Sequence, residues 1–185
     1  MREEEGRERA ARSVVDARII YAQGDVGRVF QLGDDIGGEV QSGSLYRVEL
    51  IHQGEAPAWL YLLRVELRET PVQYTLIPDQ FDLLARPVSL APGLSFQFPR
   101  DLGWGLEGLV EEAPGAVITA LVLAPQPLPE TVLAELGQVF STQVSEAGRD
   151  FGRRPFRKAV AAAQEKLQVW SSAAQLFAHW VRVNP

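Results

Sequence analysis

Two histidines, His52 and His179, and no cysteine set the limits of the chemistry this chain can carry. A cysteine-free chain has no thiolate nucleophile, no disulfide and no thiolate metal site. Two histidines alone do not make a conventional zinc centre. His52 falls at the end of an expected strand beside a turn, and His179 stands next to Trp180. Each reads as a packed or solvated histidine rather than a general base. Ser42-Gly43-Ser44 lacks the G-x-S-x-G frame of a nucleophile elbow. The glycine-rich phosphate loops G-x-x-x-x-G-K-[ST] and G-x-G-x-x-G are absent. Carboxylates cluster at Asp34-Asp35, Asp79 and Asp82, Asp101, and Glu111-Glu112, all in or near expected loops. Such groups could take calcium or act as a glycosidase pair. Neither 34–38 nor 79–82 follows the EF-hand spacing, however, and acidic loops also serve solubility. No catalytic residue, metal ligand or cofactor is assigned.

Two constellations remain as candidates for partner binding. Arg149, Arg153, Arg154, Arg157 and Lys158 form the one basic cluster, opposed only by Asp150 and flanked by Phe151 and Phe156. It precedes an expected helix, and cations at a helix N-terminus run against the macrodipole. The cluster is either a docking site for an acidic protein surface or phosphate, or a solvated loop that offsets the acidic body. The second constellation is an apolar stripe: Phe156, Val160, Ala163, Leu167, Trp170, Ala174, Phe177 and Val181 recur in steps of four and three. That is the spacing of one helix face. It packs within the chain or docks on another, and Arg153, Arg154, Arg157, Lys158, Trp170 and Phe177 are the residues that would meet a partner.

The elements that position these groups are mostly strands. Residues 45–78 read as three consecutive strands: Tyr46, Val48 and Leu50 alternate with Arg47 and Glu49, and 53–57 is a turn. Trp59, Tyr61, Leu63 and Val65 then share one face, and Leu60, Leu62, Arg64 and Glu66 the other. Period-2 patterning broken by Gly and Pro marks half-buried antiparallel strands. The in-register placing of Trp59 and Tyr61 with Leu63 and Val65 favours core over a sugar-binding platform, for which Trp59, Tyr61 and Trp104 are the candidates. Upstream, Val15, Ala17, Ile19 and Tyr21 alternate, 28–32 forms a short strand, and 33–38 is a glycine-rich loop. Downstream, Pro87, Pro92 and Pro99 confine the chain to short strands such as that at Phe96 and Phe98. Residues 104–111 and 116–124 predict two more, the second apolar enough to be buried on both faces. From Pro129-Glu130 the period becomes helical, with Val132, Leu136 and Val139 or Phe140 in step. After a break at 146–154 the terminal stripe predicts a second helix that runs on to about Val181.

The fold expected is mainly β with a C-terminal α part: an antiparallel, immunoglobulin-like β-sandwich of roughly eight strands followed by two helices. Its divisions are a charged tail or linker at 1–12, the sandwich at 13–128, and a helical appendage at 129–185 that packs on the sandwich or on a partner. With 185 residues, 46% of them apolar, the chain can bury a real core. A net charge of −6 argues against general nucleic-acid or anionic-membrane binding. The N-terminus lacks an apolar signal segment, and no run reaches the ~20 apolar residues of a membrane span. A cytoplasmic protein is expected.

The run from Gly43 to about Leu136 resembles the domain of unknown function found C-terminal to the peptidase domain of bacterial caspase-like proteins, the orthocaspases or prokaryotic metacaspases. The residues that carry the likeness are Gly43-Ser44-Leu45-Tyr46, Gln53-Gly54, Trp59-Leu60-Tyr61-Leu62-Leu63, Thr75-Leu76-Ile77-Pro78, Ala91-Pro92-Gly93-Leu94-Ser95, and Pro114-Gly115 leading to Ala124-Pro125-Gln126-Pro127-Leu128. The resemblance implies a non-catalytic accessory module beside a peptidase, with a protein partner and no catalytic residues of its own. Two alternatives stand beside it: a sandwich that binds a carbohydrate or other small molecule, and a small hydrolase using loop carboxylates. A second copy of the chain, joined through the C-terminal helix, is a further candidate partner.

Overall fold

The computed structural model describes residues 15–67, 72–77, 88–103, 106–111, 113–147 and 150–185, with 72–77 as backbone only. The expectations for 1–12 and for Asp79, Asp82, Trp104, Glu112 and Arg149 lie outside the described residues. Within them the chain is mainly β, with two helices near its C-terminus and two sheets packed face to face.

The first sheet has the order β2-β1-β4-β8, from Val26–Gln31, Val15–Gln23, Leu45–His52 and Ser95–Phe98. A two-residue strand β9, Leu109–Val110, continues the β8 edge by pairing with β4. The second sheet has the order β3-β11-β10-β5-β6, from Gly38–Gln41, Gln175–Asn184, Gly115–Ala124, Ala58–Leu67 and Val72–Ile77. Strand β7, Val88–Leu90, lies on the same side of β5 as β6. All pairings are antiparallel except β11 with β3, which is parallel. The alternation read in the sequence sets the register. Val15, Ala17, Ile19 and Tyr21 of β1 and Tyr46, Val48 and Leu50 of β4 turn inward, onto Leu60, Leu62, Val117, Leu121, Val181 and Val183 of the second sheet.

The second sheet is covered on its other face as well. Helix α1, Glu130–Ala147, and helix α2, Arg153–Trp170, pack against each other and against that face. Tyr61, Leu63, Val65, Ile118, Ala120 and Val122 meet Val132, Leu136, Phe140, Phe156, Ala159, Ala163 and Leu167 there. Both faces of β5 and β10 are therefore buried. For β10 this is the expected outcome. For β5 it corrects the expectation of one half-exposed face, because the Leu60, Leu62 and Arg64 side is the inter-sheet core.

The terminal helix is shorter than expected. It ends at Trp170, and Gln175–Asn184 returns as a strand in the interior of the second sheet. The helical spacing of 156–167 is real, since Phe156, Ala163 and Leu167 are buried on one side. Beyond Ser171 the four-and-three steps coincide with residues on opposite faces of a strand. Ala174 lies on the helix side, whereas Phe177 and Val181 lie between the sheets. Aromatic and β-branched residues in 176–183 favour the strand. Gln164 of α2 receives the returning chain: its Oε1 accepts from Leu176 N at 3.1 Å. The expected division at residue 129 accordingly separates segments that share one sheet, because β11 pairs with β10 over nine positions from Gly115↔Val183 to Leu123↔Gln175.

Candidate functional site

The inward face of the second sheet carries a transverse polar row. Arg64 of β5 lies opposite Thr119 of β10, which lies opposite His179 of β11. All three are buried. Arg64 meets the carboxylate of Glu111, delivered from the end of β9, through Nη2 and Oε2. Both side chains are almost free of solvent contact, at 0% and 2% exposure. Arg64 Nη1 also donates to Thr119 Oγ1 at 3.4 Å, and its guanidinium carbon lies 3.8 Å from the ring centre of Tyr46. The Tyr21 hydroxyl donates to Glu111 Oε2 at 3.5 Å. Burial pushes the Tyr21 phenol above its usual range, against the opposing pull of Arg64. It stays protonated and cannot serve as a base. The backbone holds the carboxylate in place, since Glu111 N donates to Ser44 O at 2.8 Å and Gly43 N to Glu111 O at 2.8 Å.

At the other end of this row, His179 stacks on Phe30 of the first sheet with ring centres 4.9 Å apart. Its Nδ1 lies 3.4 Å from the Asp34 carbonyl oxygen, and its Nε2 is buried without a hydrogen-bond partner. Burial lowers its pKa below the usual 6.5, which the Asp34 carbonyl offsets in part. His52 is also buried, with Nε2 2.6 Å from the Ala56 carbonyl oxygen.

The loop carboxylates are engaged inside the fold. Asp34 Oδ1 accepts from Ile36 N at 3.0 Å. Asp101 accepts from Gln97 N at 2.7 Å and from Arg100 Nε at 3.0 Å. The 34–35 loop follows β2 at the His52 end of the first sheet, whereas Glu111 stands at its Leu45 end. Asp34 and Asp35 therefore do not converge with Glu111 into a catalytic pair. Among the described residues, no group of three or more His, Asp or Glu is placed to hold a metal ion.

The expected partner-binding residues separate. Arg153 and Arg157 clasp Asp35 of the β2–β3 loop, at 2.9 Å to Oδ1 and 2.6 Å to Oδ2. The hydrogen bond from Arg153 holds the Asp35 carboxyl below its usual range. Lys158 lies 3.9 Å from Glu146, and Arg154 is exposed. Phe177 packs between the sheets, while Trp170 ends α2 half exposed beside Val169. The apolar stripe of α2 is covered by the second sheet. Trp59, a candidate for a sugar platform, is partly buried against the helix-side core.

The surface left uncovered is the outer face of the first sheet. Row by row, Val29 of β2 pairs with Ile20 of β1, and Ala22 of β1 with Leu45 of β4, which pairs with Val110 of β9. Val29, Leu45 and Val110 are 59%, 47% and 50% exposed. Arg47 of β4 stands opposite Ile20 in the Val29 row and reaches toward Glu49 at 2.9 Å; in the next row toward the His52 end Glu49 also accepts from Arg18 at 2.7 Å. The sequence reading does not single out this face; it offers the terminal helix, packed within the chain or docked on another, and the basic cluster before it. The signal was present in Val29, Ile20 and Leu45, whose parity opposes the core residues of their strands. No family model matches the chain, and no match was found among curated proteins or solved structures. Among the described residues no helix is long and apolar enough to cross a membrane.

Proposed function

We propose that this chain is a non-catalytic interaction module that engages a protein partner through the outer face of its first sheet, and that the partner is a caspase-like peptidase domain. The observation that carries the reading is the uncovered apolar strip Val29, Ile20, Ala22, Leu45 and Val110, on a molecule whose second sheet is covered on both faces. An apolar strip bordered by the Arg47, Glu49 and Arg18 ion pairs, with Arg47 opposite Ile20, is the make-up of a protein interface. The inward-turned chemistry agrees with a non-catalytic role: the buried Arg64–Glu111 pair is out of reach of a substrate. The peptidase as partner, the kinship with immunoglobulin-like sandwiches and a cytoplasmic setting rest on the sequence resemblance and its reading.

The test is calorimetric titration of the whole chain with a caspase-like peptidase domain from the same genome. Micromolar or tighter binding is expected, weakened at least about tenfold by Leu45→Glu, with the melting temperature unchanged. Absence of binding, or binding indifferent to Leu45→Glu, would sink the proposal.

A further inference from the structure

The two sheets come apart along one edge. Strand β2 at the edge of the first sheet and β3 at the edge of the second run in opposite directions past each other without pairing. They touch at one end. A Cβ on Gly38 would collide with the Phe30 ring, so only glycine allows that approach. Midway, Arg28 Nη1 donates to the Glu39 carbonyl oxygen at 2.5 Å and ties the edges together. Toward Val26 and Gln41 the edges diverge into a cleft of about 270 Å³. Its floor is Tyr21 and Ser44, both nearly excluded from solvent, and Asn184 closes it from the end of β11.

The side chains lining this cleft point to its ligand. Among the described residues, Gln23, Gln41, Ser44 and Asn184 make no side-chain hydrogen bond within the protein, although all four border the same cavity. Three carboxamides and a hydroxyl are thus available together. A carboxamide presents a donor and an acceptor side by side, which matches two adjacent hydroxyl groups. Val26 and Val40 supply apolar surface for the C–H face of such a ligand. Charge decides against an anion. The one cation among the lining residues, Arg28, already serves a backbone carbonyl, and Glu39, an acidic residue, lines the same cleft. Size decides against a large ligand, because pockets for drug-sized molecules begin at about 300 Å³.

We propose that the cleft between β2 and β3 binds a neutral, hydroxyl-rich small molecule the size of one sugar ring. The site is independent of the outer face of the first sheet, so either can fail without the other.

The experiment is amide chemical-shift mapping of the full chain with free glucose, galactose, maltose and cellobiose as separate probes, and inorganic phosphate as the anionic control. At least one sugar should give saturable shifts confined to 21–28, 39–44 and 184. Gln41→Ala, an exposed position that leaves the core untouched, and Asn184→Ala should each weaken binding about tenfold. Phosphate should leave these amides in place. No saturable shift with any of the four sugars, shifts elsewhere, phosphate shifts in place of sugar shifts, or unchanged affinity in both variants would each overturn the proposal.

Discussion

At the scale of single residues, the most consequential interaction is the ion pair between Arg64 and Glu111. Removing two charges from water is costly, and their attraction repays it only when the remaining polar atoms are satisfied. Here Thr119, Tyr21 and the Tyr46 ring surround the pair. Breaking one partner leaves a buried, uncompensated charge. Glu111→Gln is therefore expected to destabilise the fold by about 3–5 kcal/mol. The double substitution Arg64→Met with Glu111→Leu removes both charges and should cost less than either single change. Urea denaturation of Arg64→Met, Glu111→Leu and the double variant checks this: a double mutant as unstable as the sum of the singles would show that the pair is not a coupled unit. The sequence hinted at this arginine without announcing it. Arg64 follows Leu60 and Leu62 at the same parity in a run apolar on both sides, a place where a surface arginine is out of keeping. Its partner was hidden, because Glu111 comes from a strand of two residues.

At the scale of elements, strands announced themselves where one face is polar, and were obscured where both faces are buried. β1 and β4 alternate and were legible to within a residue or two. The glycine-rich stretch 33–38 reads as loop and gives no sign of β3, since Gly37 and Gly38 look like breakers. They are instead the points where the chain passes close under Trp180 and Phe30. The sequence of β11 reads as helix because its buried positions on two faces fall, by coincidence, into helical spacing with those of α2. Local periodicity cannot distinguish these cases; the pairing of β11 with β10 and β3 is a long-range fact. The strand reading has a direct consequence. If 175–184 were the tail of a helix, ending the chain after Trp170 would trim an appendage. As an interior strand between β10 and β3, its loss exposes the β10 ladder and strips Val181 and Val183 from the inter-sheet core. A chain ending at residue 172 is expected to lose cooperative thermal unfolding altogether. A truncated protein that melts in one sharp transition near the parent temperature would contradict the placement of β11.

At the scale of the whole molecule, three layers meet around His179, an imidazole held between the sheets. It belongs to β11 of the second sheet, rests on Phe30 of the first, and faces the Asp34 carbonyl of the loop that Arg153 and Arg157 of α2 hold through Asp35. Its neighbours in the row are Thr119 and, beyond it, the Arg64 guanidinium. No carboxylate is bonded to its ring among the described residues, and Nε2 has no acceptor into which a second proton could be placed. The folded pKa is accordingly below 6.5. The unfolded chain therefore binds the proton first as pH falls, so stability is full above about 6.5 and declines from there down to the folded pKa. The slope contributed by one such group is at most about 1.4 kcal/mol per pH unit. His179→Phe keeps a ring to stack on Phe30 and removes the titration. Its melting temperature should vary less than that of the parent as pH falls below about 6.5, while acid loss at lower pH persists. That residual loss belongs to carboxylates such as Asp35, whose depressed pKa gives stability that is lost as pH falls through it. Parallel curves for parent and variant across the upper window would show that His179 is not the group that links the sheets to pH.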